Sequence, residues 1–270
     1  MGLTGKISGV LILVIFSVCL LSPYLVSSHP DSIDLDSLKE PPSMKHFLGT
    51  DNKGRDIMSR VLYGGRISIS IAVLAALISM TIGLIIGLLS GYFGGKLDTF
   101  FMVAVDLVLA FPSLLLAIGV SVIFPPGIYT VMIALSAVGW ASFARLIRGQ
   151  VMLLREASFI EAATAIGCSN TRILLVHILP QCIPLAFVMT GLKLGGYILT
   201  EAGLSFLGLG AQPPTATWGA MISANRVFIG SAPWMVLSPG ILIAITALSF
   251  NILGDDLREK YAVQKNSRSL

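Results

Sequence analysis

Apolar residues dominate this chain in long uninterrupted runs. Six stretches free of Asp, Glu, Lys and Arg cover residues 7–30, 67–95, 107–144, 173–192, 202–225 and 227–254. A helix that crosses a bilayer takes about 20 predominantly apolar residues. The runs do not map one to one onto spans. The run 107–144 is too long for one crossing, and Pro125-Pro126-Gly127 interrupts it near its middle. Lys193 and Glu201 both fall inside or near the end of what reads as a single span. The pattern predicts six transmembrane helices at 7–26, 67–91, 99–123, 128–146, 183–205 and 234–254. Continuous apolarity argues against barrel strands, which alternate over about ten residues. Isolated helix breakers such as Pro112 and Gly119 are tolerated inside a membrane bundle. The expected fold class is an all-α membrane protein, a bundle of six transmembrane helices.

Composition agrees. The 270 residues are 55% hydrophobic and 12% charged, with a mean hydropathy of +0.87. That balance excludes an ordinary soluble enzyme, a disordered chain and a disulfide scaffold, because one core of this size cannot bury so much apolar surface. The first run follows Lys6 and resembles a signal peptide at its start, but it is longer than a usual signal core and no clear A-x-A site follows. We expect an uncleaved first helix.

Charge sets the expected orientation. With the N-terminus inside, inside segments carry ten Lys and Arg and outside segments seven, six of the seven in the single long loop 27–66. This follows the positive-inside rule. Cys19 and Cys182 fall in or beside spans and Cys168 in an inside loop, so no disulfide is expected. His29, His46 and His177 are scattered, no His/Cys group has metal-ligand spacing, and no G-x-x-x-x-G-K-[ST] loop is present. No cofactor, metal or nucleic-acid partner is expected, and the chain is not expected to bind ATP itself.

The inside loop 145–181 is the most informative segment. Ser158-x-x-Glu161 fits a capping box, Ala162, Ala163 and Ala165 favour helix, and Gly167 suits a left-handed helix end. Ser169 or Asn170 then suits the cap of a following helix. Phe159, Ile160, Ala163 and Ile166 place apolar surface on this short helix. Either they pack back on the protein's own spans, or they are offered to a groove on a soluble partner.

Glu161-Ala162-Ala163, Gly167 and Leu179-Pro180 resemble the EAA signature of bacterial ABC-importer permeases. His177 stands where the general signature has Ile, and in this it is similar to the peptide and nickel branch. Gly49-Thr50-Asp51-Asn52-Lys53-Gly54-Arg55-Asp56 resembles that branch's outer segment before the second helix. The run Glu201–Gly210, with Pro213-Pro214 and Trp218-Gly219, resembles its outer motif after the fifth. Asn251-x-x-Gly254-Asp255-x-Leu257-Arg258 resembles its ending, although Tyr261-Ala262-Val263 replaces the usual aspartate-proline. The resemblance covers residues 47–260 and matches the second permease of dipeptide, oligopeptide and nickel importers.

The resemblance implies a type I ABC-importer transmembrane domain, MetI-like, over residues 67–260. A first helix and outer loop (1–66) precede it, and a cytoplasmic tail (261–270) follows. It implies a non-catalytic subunit of the bacterial inner membrane with both termini cytoplasmic. The implied partners are a second homologous permease, two cytoplasmic ATP-binding subunits, an extracytoplasmic substrate-binding protein and the lipid bilayer. The implied ATPase-coupling residues are Ser158, Phe159, Glu161, Ala162, Ala163, Gly167, His177 and Pro180. Peptide is the favoured cargo, with nickel or a metal chelate as the alternative within the family. A self-sufficient secondary transporter or channel is the rival class, although no convincing internal repeat is visible.

Three charged residues at bilayer depth, Asp106, Lys193 and Glu201, are candidates for a polar translocation path. Their alternative role is structural, as ion pairs between helices or as snorkelling groups. Asp51 and Asp56 read as turn and cap residues. Arg145, Arg148 and Arg155 fit a lipid-headgroup belt or acidic groups on an ATPase. Gly83, Gly87 and Gly91 form a stripe that permits close helix packing, with the packing partner left open.

Overall fold

The computed structural model describes residues 2–26 and 28–267, with side chains described up to residue 260. Helix α1 spans Leu3–Leu20 and α2 Ser22–Leu25. Then come α3 Ile57–Phe93, α4 Gly95–Ala110, α5 Ser113–Ile123 and α6 Ile128–Arg155. Helix α7 is the short Ser158–Ala165, and α8 (Asn170–Arg172) runs through a π-helical turn, Ile173–Ile178, into α9 Leu179–Phe206. Helices α10 Trp218–Asn225 and α11 Trp234–Ser267 complete the chain. Five of these helical stretches are long and apolar enough to cross a membrane, and the bent pair α4–α5 makes up to six.

The third expected span, 99–123, is not one straight helix. It bends by 98° between α4 and α5. Pro112 offers no N–H, and its ring drives the preceding Phe111 into extended backbone, φ −94° and ψ 146°. The second span is longer than expected, beginning at Ile57 instead of residue 67. Asp56 starts it by accepting a hydrogen bond from the Ser59 N–H at 2.8 Å, so the polar Ser59-Arg60 stretch belongs to the helix. At 37 residues α3 is about 55 Å long, well beyond the ~30 Å hydrocarbon layer, so it projects from the membrane. Helix α6 likewise continues to Arg155, nine residues past the expected end of its span.

The glycine stripe of α3 packs within this chain. A Cβ on Gly87 would lie 2.7 Å from Ile147 Cβ, and one on Gly91 would lie 2.8 Å from the Arg148 carbonyl oxygen. Bare backbone therefore lets α3 and α6 approach at closest range. Helix α4 is fixed to α6 by Asp98, which accepts from Arg148 Nε and Nη2, both at 2.6 Å, and from the Ser90 hydroxyl. A second ion pair, Asp106 with Arg145, joins the same two helices.

The segment before α3 lies at the opposite end of the bundle from α7. Asp51 accepts from the backbone N–H groups of Lys53 (2.8 Å) and Arg55 (3.0 Å) and from Arg55 Nε (2.7 Å). Arg60 reaches back to Asp31 and to the Pro30 carbonyl, both at 2.8 Å. Asp51 and Asp56 are thus the turn and cap residues their positions suggested. Trp218, fully buried, donates to the Val61 carbonyl at 2.9 Å and pins α10 to the start of α3.

Candidate coupling surface and membrane cavity

Helix α7 is a single short element held between two long ones. Its cap is Ala157, whose extended backbone (φ −79°, ψ 141°) provides no side-chain hydrogen bond. The expected Ser158/Glu161 capping box does not form, because Ser158 is already the first helical residue. The Ala157 carbonyl takes the Ile160 and Glu161 N–H groups at 2.9 and 3.2 Å instead. Glu161 sits in the first turn, where the positive end of the helix dipole favours a carboxylate. The other end follows the sequence closely. Gly167 has φ +84°, its N–H bonds to the Thr164 carbonyl, and the Cys168 N–H bonds to the Ala163 carbonyl, both at 3.0 Å. This is a Schellman termination. Ser169 then caps α8 by accepting from the Arg172 N–H at 3.4 Å.

The apolar residues of α7 divide between two faces. Ile160 and Ala163, 3% and 7% exposed, join a cluster with Leu88 of α3, Ile147 and Val151 of α6, Ile173, Leu174 and Ile178 of the π turn, and Cys182 of α9. Phe159 and Ile166 point away, 41% and 82% exposed, alongside the exposed Ser158, Glu161 and Ala162. The two readings of these residues therefore describe two different faces of the same helix. Two polar ties that sequence alone did not single out hold the region to the bundle. Tyr92 Oη donates to Asn170 Oδ1 at 2.9 Å, and Arg155 Nη1 donates to the Tyr92 carbonyl at 3.0 Å. Arg155 thus has a structural partner, as Arg145 and Arg148 do in Asp106 and Asp98.

His177 is half-buried in the π-helical turn, and the exposed Pro180 follows at the start of α9. Proline lacks the N–H that would continue the ordinary ladder and clashes with the carbonyl four residues earlier. The widened turn directly ahead of it relieves that conflict.

The three charged candidates for a translocation path lie apart. Asp106 is on an exposed face of α4, paired with Arg145. Glu201 is fully buried among the helices and accepts from the Ser205 hydroxyl at 2.8 Å. Lys193 alone borders a cavity. That cavity, about 160 Å³, lies in the elbow between α4 and α5 and against α6 and α9. Phe111, Ser113, Gly139, Ser142, Gly196 and Thr200 are also in its wall, and Lys193 Nζ donates to Ser142 Oγ at 3.2 Å. Ser142 and Thr200 were not apparent as site residues from sequence. Ser142 is 51 positions from Lys193, and only the packing of α6 on α9 brings them together.

A bundle of long apolar helices, with a short helix presented at one end and a lysine beside an internal cavity, is the architecture of a multi-span membrane protein. Residues 83–261 match the family described as "Binding-protein-dependent transport system inner membrane component", and the chain belongs to that family. It is 45% identical to the glutathione transport system permease GsiD of Salmonella typhimurium over 92% of this chain and 81% of that protein. It is 41% identical to the dipeptide transport system permease DppC of Alkalihalophilus pseudofirmus over 90% of this chain and 80% of that one. Among solved structures, the inward-facing MetNI methionine ABC transporter shares the fold. Its TM-score is 0.60 at 20% identity, covering 75% of this chain and 97% of that one. The membrane domain is therefore MetI-like.

Proposed function

We propose that this chain is one half of a heterodimeric permease that imports peptides across a bacterial inner membrane, driven by ATP hydrolysis in separate cytoplasmic subunits. The observation that carries the reading is the division of α7. Ile160 and Ala163 seat the helix on the bundle, while Phe159, Glu161, Ala162 and Ile166 are left on its outer face. Such a helix, ended rigidly at Gly167 and tied through Tyr92 and Arg155, transmits a push from a soluble partner into α3, α6 and α9. Transport then requires two states of the bundle whose balance the partner shifts through unequal contacts with each.

In this reading α7 and both termini face the cytoplasm, in line with the excess of Lys and Arg on that side. The segment before α3 faces outward, where a substrate-binding protein delivers cargo. The glutathione and dipeptide permeases among the relatives support peptide over nickel chelate as the cargo class. The test is reconstitution of the whole complex in liposomes with labelled di- and oligopeptides. Uptake that needs ATP, binding protein and this chain together supports the proposal. Uptake without ATP would instead identify a secondary transporter or channel.

A further inference from the structure

Lys193 sits near the middle of α9, where an uncompensated charge is costly and marks a functional site. Among the described residues it takes part in no ion pair. Asp106 of α4 is paired with Arg145, and Glu201, which accepts from Ser205, stands two turns further along α9 itself, about 12 Å from Lys193 along the helix axis. Ser142 accepts one of the three ammonium protons and leaves two for another acceptor. The Ser142 hydroxyl keeps its own proton to donate. Ser113, in the wall of the same cavity, opens α5, and that 11-residue helix has Pro112 as its cap with no side-chain hydrogen bond. The first N–H groups of α5 thus lack acceptors inside the helix, and its positive dipole end adds to the lysine charge. The rest of the wall is largely apolar, which strengthens any charge contact made there. One water occupies about 10–15 Å³ of such space, so 160 Å³ admits an anionic group with part of its hydration.

We propose that this cavity is a subsite for a carboxylate of the cargo, held by Lys193 with help from Ser142 and the start of α5. The proposal rests on the peptide-import reading and deepens it. Lys193 would favour cargo bearing a free C-terminal carboxylate during passage, after the binding protein has made its own selection. A lipid phosphate has the same hydrogen-bonding chemistry and is the competing source of the anion.

The test uses the complete importer in liposomes with one peptide supplied as the free acid and as the C-terminal amide. Each is presented on binding protein whose loading is measured separately. The unsubstituted importer is expected to move the acid at least about fivefold faster than the amide at equal loading, on the order of 1 kcal/mol of discrimination. Lys193→Gln should bring that ratio close to one, and Lys193→Arg should restore it. The ratio should be the same in vesicles of phosphatidylcholine alone and in vesicles containing phosphatidylglycerol. A ratio of one in the unsubstituted importer overturns the subsite, whatever the variants do. Equal slowing of both cargoes by Lys193→Gln assigns the lysine to helix packing, and a ratio that follows phosphatidylglycerol content assigns it to lipid. Failure of the unsubstituted importer to move either peptide overturns the peptide-import reading itself, a different result from movement without discrimination.

Discussion

Replacing Gly167 with valine tests the turn that ends α7 separately from the helix. The residue has φ +84°, and a Cβ built there meets no atom within 4 Å. Bulk is therefore not the obstacle within this chain, and the cost is conformational. A left-handed backbone costs an ordinary L-residue about 1–2 kcal/mol, and β-branching raises that further. Such a penalty changes an equilibrium about 5–30-fold, and it falls directly on the Cys168–Ala163 and Gly167–Thr164 hydrogen bonds. Asparagine tolerates the same backbone region far better. The variants should rank Gly167→Asn, then Gly167→Ala, then Gly167→Val in falling ATP-dependent uptake, with the complex still assembled by size-exclusion chromatography. Valine should retain about a tenth of normal uptake or less. Normal uptake in Gly167→Val would show that the turn is dispensable. Equal losses in Gly167→Asn and Gly167→Val would show that bulk against a partner matters, not backbone conformation.

Three other perturbations probe the same construction. Phe159→Ala should weaken recovery of the ATPase subunits with little change in the melting temperature of the permease. Ile160→Ala, one position along, should destabilise the permease by about 2–4 kcal/mol in thermal unfolding. The reverse pattern would mean that the faces of α7 have been exchanged. A double-mutant cycle on Asp98→Asn and Arg148→Gln, read by thermal stability in nanodiscs, should give a coupling of about 1 kcal/mol, because the pair is bidentate and both side chains are partly buried. Gly87→Val should cost about 1–3 kcal/mol or more by forcing α3 away from Ile147, seen as lower yield and an earlier thermal transition. An unchanged transition would contradict the close α3–α6 contact.

Much of this architecture is legible in the sequence because the membrane leaves few options. Each long apolar run must satisfy its own backbone, so helices follow, and Gly167 and Ser169 mark local ends that require no tertiary information. The glycine stripe on α3 announces close packing, but a stripe cannot say which helix fills it, and α6 does so through Ile147 and Val151. The polar start of α3 and the polar end of α6 read as loop because hydropathy reports membrane depth and not helix length. Ser59, Arg60 and Arg155 stay helical through a cap and tertiary hydrogen bonds. Pro112 was visible, but a proline inside a span is compatible with a mild kink. The bend is 98°, and it leaves α5 packed against α6, a long-range contact that no local pattern reports. The charged residues were the least legible. Asp106, Lys193 and Glu201 share a depth cue, yet only packing separates an exposed ion pair, a buried carboxylate and a lysine beside a cavity.

The proposed link between α7 and ATP-hydrolysing partners can be tested on the native complex. The most direct measurement is affinity recovery of the tagged chain from membranes in mild detergent, with mass spectrometry and an ATPase assay on the same fraction. A second permease and ATPase activity are expected in that fraction, with the ATPase lost and the second permease kept when Phe159 and Ile166 are both changed to alanine. Recovery of the chain alone, still transporting after reconstitution without ATP, would contradict it.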